Sequence, residues 1–357
     1  MNRKRNTTIR SGNSTGVGKS ASRPAVIFLL LLLSGAPASA QTADSPPAIA
    51  LGLPLQCQSG ENCWAANYLD INPGPGISDF RCGARTYDGH DGVDFAIRDR
   101  GVMAAGVPVL ASAAGSVKSV RDGMGDTGLL APGAETGLKG RECGNGVVID
   151  HDGGWQTQYC HLRQGSIVVQ PGESVSSGAT LGAVGMSGWA EFPHVHLAVR
   201  RLGRVVDPFT GLAAGTVCGQ AAAALWRKDL HVSYEPAALY NAGFSAGPPD
   251  IGQIRAGQAG DQPLTSGAPA LVLWVEILGV AQGDLIRFNI NGPDGTALLT
   301  REQQVDKTQA RRYIYVGKRR TRATWPAGEY RGEVTLIRSR PGADPWQDSI
   351  ERVITLR

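Results

Sequence analysis

The chain has 357 residues, 18% of them charged, with 35 basic and 31 acidic side chains and six histidines. Six of the basic residues (Arg3, Lys4, Arg5, Arg10, Lys19 and Arg23) precede residue 41, so the remaining 317 residues carry 29 basic against 31 acidic groups. That near-neutral body removes the net basic charge that would have pointed to nucleic acid, and its length allows two ordinary domains, each with its own core.

Residues 1–40 read as an export signal. A basic stretch free of acids leads into an apolar run from Ala25 to Leu33, and Ala38-Ser39-Ala40 forms an A-x-A cleavage site that would leave Gln41 first. The apolar run is short for a membrane anchor, and no later stretch is long enough for a transmembrane helix. The expected location is therefore periplasmic or secreted, with no stable membrane span after cleavage.

All six cysteines lie beyond the signal, and an even number in an oxidising compartment reads as disulfides. Residues 146–150 and 155–159 flank His151-Asp152-Gly153-Gly154 as a hairpin. With Asp150 opposite Gly153, Cys143 falls opposite Cys160, and a cross-strand bridge follows. Cys57, Cys63, Cys82 and Cys218 leave three pairings open.

Residues 41–84, rich in Pro, Gly, Ser and Asn, read as an arm packed on the first domain. From residue 85 to 212 short strands alternate with glycine turns, including 107–112 and 115–120, expected to pair with each other. The glycine-rich segment 122–142 reads as a surface loop, either a binding or lid element or an insertion without a role. Residues 213–232 form a linker with a short helix at Gln220–Trp226. From 233 to 357 strands at 271–276, 285–290 and 333–337, separated by turns such as Gly292-Pro293-Asp294-Gly295, suggest an immunoglobulin-like sandwich.

The chemistry sits in the first domain. His194 and His196, at i and i+2 of a strand, face one side about 6.5–7 Å apart. His90 and Asp94 would stand about 13 Å apart in a straight strand, so sharing one ion requires a bend, which Gly92 permits. Two imidazoles and one carboxylate suit zinc and leave a position open for water. No His-Glu-x-x-His helix supplies a glutamate base, so His161 and His194 are the candidates to take the proton or hold the oxyanion.

These motifs, a His-x-x-x-Asp at His90–Asp94, Tyr159-Cys160-His161-Leu162 and His194-Val195-His196, resemble the LytM and lysostaphin type of zinc endopeptidases, which cleave peptide bonds in bacterial peptidoglycan. The resemblance covers about 125 residues, Arg85 to Phe209. It implies one Zn2+ per chain held by His90, Asp94 and His196, with His161 and His194 as the catalytic pair. It also implies an all-β fold: a LytM-type antiparallel β-sheet peptidase domain with its site in a loop-walled groove, ahead of the sandwich. Peptidoglycan stem or cross-link peptides are the expected partners. Some relatives of this fold have lost ligands and activate other wall hydrolases instead, a non-catalytic alternative that the intact residues disfavour.

The remaining candidates have plainer readings. Asp91, Asp150 and Asp152 read as turn residues, His151 as a surface turn histidine and His231 as part of the linker. Between Lys307 and Arg322, seven basic residues interleave with Tyr313 and Tyr315. They make either a face for an anionic envelope polymer or, the reading preferred, a solvated hairpin that keeps a sheet edge soluble. An envelope polymer or a regulatory protein is the partner considered for this C-terminal domain.

Overall fold

Extended segments dominate because β-branched and aromatic residues recur in runs of four to eight between glycine turns. The computed structural model describes residues 49–130, 137–220, 223–259 and 264–357; the expected export signal lies outside them. In chain order the strands are β1 (Cys63–Asn67), β2 (Val93–Ile97), β3 (Pro108–Leu110), β4 (Gly115–Arg121), β5 (Asn145–His151), β6 (Trp155–Leu162), β7 (Ser174–Val175), β8 (Thr180–Ala183), β9 (His194–Arg201) and β10 (Arg204–Val205). They continue with β11 (Ala238–Ser245), β12 (Ala270–Val280), β13 (Leu285–Asn291), β14 (Ala297–Gln304), β15 (Gln309–Arg319), β16 (Gly328–Arg340) and β17 (Ala343–Leu356). Two short helices, α1 (Arg100–Ala105) and α2 (Ile251–Arg255), are the α-helices among the described residues. None of the helices is long and apolar enough to cross a membrane.

One antiparallel sheet of eight strands runs β1-β2-β9-β6-β5-β4-β7, with β10 added on β9. Its core holds Phe95, Val117, Ile149, Tyr159, Val195 and Leu197, joined by Leu51, Leu55 and Tyr68 from the segment before β2. The arm thus supplies an edge strand as well as packing. A second region has a three-stranded sheet, β11-β12-β15, and a four-stranded sheet, β14-β13-β16-β17. Leu273, Val275 and Ile277 from the first meet Ile286, Phe288, Val334 and Leu336 from the second in one core.

Several local expectations need correction. Residues 107–112 do not pair with 115–120: β3 pairs with β8, and β4 with β5 and β7. The backbone beyond β3 is already spoken for, since Ala111 N–H donates to Ala179 and the Ala111 carbonyl accepts from Gly178, both at 2.8 Å. No helix forms over 223–226; Leu225 accepts from Leu51 N–H at 2.7 Å and Trp226 bridges Leu51, while 221–222 lie outside the described residues.

The hairpin register also differs. Asp150 faces Gln156 and Val147 faces Tyr159, because residues 152–154 form a 3-10 turn with Gly153 and Gly154 at positive φ. Cys143 nevertheless bonds Cys160. The chain reverses at Gly144, φ 64°, and brings Cys143 alongside a bulge in β6. The other bridges are Cys57–Cys63 and Cys82–Cys218.

The two regions meet along β1 and β11. Trp64, Ala66 and Ala96 pack with Ala238, Tyr240 and Leu278, and Phe192 rests against them. Nearby, buried Arg85 lies 6.0 Å from the Tyr68 ring centre and reaches the Ala65 carbonyl. Gly279 (φ 69°) leaves room for it, since a Cβ there would collide with the Arg85 side chain.

Candidate metal centre

Register builds the site. In the β2–β9 pair Asp94 faces His196 and Ala96 faces His194. Phe95, Val195 and Leu197 point into the core, so Asp94, His194 and His196 share the opposite face. His90 enters from the turn before β2, where its N–H donates to the Tyr87 carbonyl at 3.0 Å.

His90 Nε2 lies 3.1 Å from Asp94 Oδ1 and 3.1 Å from His196 Nδ1, and His196 Nδ1 lies 2.9 Å from Asp94 Oδ1. The three residues are buried, and their ligand atoms converge as a set able to hold a metal ion. In a tetrahedral zinc site with bonds of about 2.0–2.1 Å, neighbouring donors stand roughly 3.3 Å apart, so this trio needs only a small expansion. Two imidazole lone pairs facing one carboxylate demand positive charge between them, which is what the donor set would receive from a divalent cation.

The role expected of Gly92 changes. Its φ is not positive; what matters is space, because a Cβ there would stand 2.6 Å from His196 Nε2 and from the Leu197 carbonyl oxygen. Residue 92 is glycine because the His196 ring lies against its backbone.

His161 reaches the same face by breaking the strand. Asn145 faces Leu162 while Val147 faces Tyr159, so β6 carries one residue more than β5 and bulges. His161 has φ 65°, a left-handed conformation costly for a side chain with Cβ. The result is that Tyr159 and Leu162 both stay in the core while Cys160 and His161, consecutive in sequence, both line the groove. Its N–H donates to the Cys143 carbonyl at 2.8 Å, next to the Cys143–Cys160 bridge. Gly146 lies against the bulge; a Cβ there would stand 2.5 Å from the Tyr159 carbonyl oxygen and 3.0 Å from Cys143 Sγ.

Each ring is aimed by a partner on its far nitrogen. Nδ1 of His90 faces the Tyr68 carbonyl at 2.6 Å, that of His161 the Ser187 carbonyl at 2.8 Å and that of His194 the Phe192 carbonyl at 2.8 Å. A carbonyl can only accept, so these three rings carry their proton on Nδ1 and leave Nε2 bare. His196 is turned the other way: its Nδ1 joins the donor trio and its Nε2 lies 3.2 Å from Asp91 Oδ1. Arg200 holds that carboxylate at 2.6 Å. Asn67 donates to the second Asp94 oxygen at 2.8 Å, brought into register by a bulge in β1. Such outer partners fix ligand orientation and basicity.

Electrostatics follow the burial. Burial holds His161 well below its ordinary 6.5, reinforced by the His194 and His196 rings. Burial also lowers His194, against the pull of Asp94. Burial opposes charge on His196 too, but Asp91 and Asp94 outweigh it and push the ring up to about 9. The His196 hydrogen bond brings Asp91 down to about 2. Burial would raise Asp94, yet His90, His194 and His196 hold it well below the usual carboxylate range.

A groove of about 500 Å³ opens over the cluster, lined by Tyr87, Glu142, Cys143, His161, Trp189 and Arg200 among others. From segment 122–142, Glu142 lines it, and its carbonyl accepts from Trp189 N–H at 2.7 Å.

The structure therefore gathers all five expected residues on one face. It also gives Asp91, read as a turn residue, a place beside His196. His151 lies away from the cluster, with its ring nitrogens 2.7 Å from the Ala114 carbonyl and 2.8 Å from Thr157 Oγ1. Asn67, Tyr68, Ser187 and Phe192 had no part in the expectations. The one available signal was Asn67, a polar residue ending the apolar run of β1.

Residues 88–208 match the model of Peptidase family M23, so this third of the chain carries an M23-type domain. An uncharacterized metalloprotease of Haemophilus influenzae is 30% identical over 134 residues, 38% of this chain and 23% of that protein. Peptidoglycan DD-endopeptidase ShyA of Vibrio cholerae is 34% identical over 118 residues, 33% of this chain and 22% of that protein. The matches thus span less than a quarter of either relative. Among solved structures, the catalytic domain of the prophage-encoded M23 protein EnpA from Enterococcus faecalis aligns with 46% of this chain and 95% of its own, at 24% identity. The TM-score of that alignment is 0.29.

Proposed function

We propose that this chain is an exported, zinc-dependent endopeptidase that hydrolyses peptide bonds in bacterial peptidoglycan. The observation that carries the reading is the convergence of His90 Nε2, Asp94 Oδ1 and His196 Nδ1 within 3.1 Å of one another, with two further buried imidazoles beside them. His90, Asp94 and His196 would hold one zinc ion. When bound, zinc supplies Lewis-acid chemistry, making water nucleophilic near neutral pH and polarising the scissile carbonyl.

His161 and His194 do the rest. Their ring centres lie 4.6 Å apart, and both stay neutral because burial disfavours their charge. One accepts the proton of the attacking water at Nε2. The ring that gains the proton becomes a donor able to hold the oxyanion or to protonate the leaving amine.

The three disulfides favour an oxidising, extracytoplasmic compartment. The relative from Vibrio cholerae is a DD-endopeptidase, and by that likeness the D-alanyl cross-link is the bond proposed here. Residues 85–212 are the peptidase domain, 213–232 the linker and 233–357 an immunoglobulin-like accessory domain. The division of β11–β17 into sheets of three and four strands supports the last point: it is the constant-type arrangement with the fourth strand moved across. An envelope polymer or regulatory protein would be that domain's partner.

The test is digestion of purified peptidoglycan, with and without a chelator, read by mass analysis of the released muropeptides. His161→Ala should retain zinc and lose hydrolysis, and His90→Ala should lose both. Full activity in either variant overturns the assignment. A protein with every ligand intact, loaded with zinc and inert on peptidoglycan, would instead be the non-catalytic activator.

A further inference from the structure

The accessory domain and the metal centre share one face of the large sheet. Trp64 faces Ala96 in the β1–β2 pair, and Ala96 faces His194 in the β2–β9 pair. Tyr240, Ala238 and Leu278 cover that face as far as Ala96, two residues along β2 from Asp94 and opposite His194 on β9.

Phe192 stands on the boundary. On one side its carbonyl accepts from His194 Nδ1 at 2.8 Å, and its ring centre lies 4.7 Å from that of His194. On the other side the Arg311 guanidinium carbon, from β15 of the accessory domain, lies 4.9 Å from the Phe192 ring centre. Arg311 is anchored from behind, donating to Tyr240 Oη at 3.1 Å and to Glu276 Oε1 at 3.4 Å. Glu276 is fully buried and also binds Arg255 at 2.9 Å. The Arg311 Nε is buried with no hydrogen-bond partner among the described residues, so the aromatic face of Phe192 adds to the hold that Tyr240 and Glu276 have on the other end of the guanidinium.

We infer that Arg311, held by Glu276 and Tyr240, is a positioning residue for His194 and acts through Phe192. The accessory domain is then a working part of the hydrolytic site rather than a separate binding module. Nδ1 of His194 is committed to the Phe192 carbonyl, so the aim of Nε2 follows wherever that short segment is placed. One residue separates the two, Pro193, whose carbonyl is itself tied to Ile97 N–H at 3.1 Å. The described residues lining the groove all come from 87–200, so the accessory domain contributes none of them. Its reach into the chemistry runs through the Arg311–Phe192 contact.

The inference rests on His194 being catalytic, and the experiment separates the two. Full-length, zinc-loaded wild type, Arg311→Ala, Arg311→Lys, Phe192→Leu, the Phe192→Leu/Arg311→Ala double variant and His194→Ala are compared on purified cross-linked muropeptides, with zinc content and melting temperature measured in parallel. Arg311→Ala should lower kcat by about 10- to 100-fold with KM and zinc content unchanged. Arg311→Lys should recover part of that loss, and the double variant should be no slower than the slower single variant. A His194→Ala enzyme of normal rate would remove the catalytic reading. If His194→Ala is inactive while Arg311→Ala stays within twofold of wild type in kcat, the positioning role is overturned. Should Arg311→Ala fail to fold, Phe192→Leu keeps the apolar contact and removes the ring face; an unchanged kcat there overturns the proposal equally.

Discussion

Strand β9, between β2 and β6, and strand β13, between β14 and β16, both lie inside antiparallel sheets, yet they bury their side chains in different ways. In β13 buried Ile286, Phe288 and Ile290 alternate with half-buried residues, as expected of a sheet with one face packed and one face towards solvent. In β9 every residue from His194 to Val199 is buried. Val195, Leu197 and Val199 fill the core, but the other face carries two imidazoles. Burying polar rings is costly unless each nitrogen finds a partner. In β9 a carbonyl and two carboxylates meet that demand at three of the four ring nitrogens and leave His194 Nε2 open, whereas β13 has no such groups to satisfy. The difference shows where the molecule gives up simple packing for chemistry.

That contrast can be broken most sharply at Asp94. Asp94→Ala should abolish both metal retention and hydrolysis while the chain stays folded, as read by metal analysis and circular dichroism. Its counterpart is Phe288→Ala in the sandwich, expected to cost about 3–5 kcal/mol in denaturant unfolding. Because Phe288 belongs to the sandwich core and not to the cluster that carries Phe192, kcat of the folded fraction should stay at the wild-type value.

The seam between the regions gives a third measurement. Burial pushes the Glu235 carboxyl from its ordinary 4.5 up to about 7. Between those values the folded chain keeps a proton that the unfolded chain has released. Stability is therefore fullest below about pH 4.5 and declines as pH rises through 7, by at most about 3 kcal/mol. Glu235→Gln should flatten that slope; an unchanged pH dependence of unfolding would show that Glu235 is not its source.

Asn67→Ala should weaken zinc about 10- to 100-fold in competition with a chelator, with the ligands themselves untouched. Smallest of all, Arg331→Ala removes an exposed ion pair with Glu351 and should leave the unfolding midpoint essentially unchanged.

The sequence pattern carried the ligands further than their surroundings. His194 and His196 were legible because period-two spacing is a property of the strand alone. Alternation made β13 and β16 equally legible, and β12 stood out as a near-continuous apolar run. What escaped was set by contacts between distant segments. The register of β5 against β6 depends on a 3-10 turn and a bulge, and no local rule places an extra residue at Cys160–His161. Cys143 met Cys160 through a chain reversal at Gly144 and not through the register that had suggested the pair. Gly92 was read as a bend because its neighbours require one, but its constraint comes from His196, more than one hundred positions away. Tyr68, Ser187 and Phe192 contribute backbone carbonyls, which every residue possesses, so their side chains announce nothing.

The seat of Arg85 beside Gly279 bears on how such proteins can be rebuilt. A foreign sandwich grafted behind residues 85–212 would need more than a matching apolar edge. It would have to present a gap where β12 meets Arg85, because any side chain at that position would collide with the guanidinium. Swapping modules between relatives therefore means carrying both halves of this seam together, as one cassette with a cut outside it.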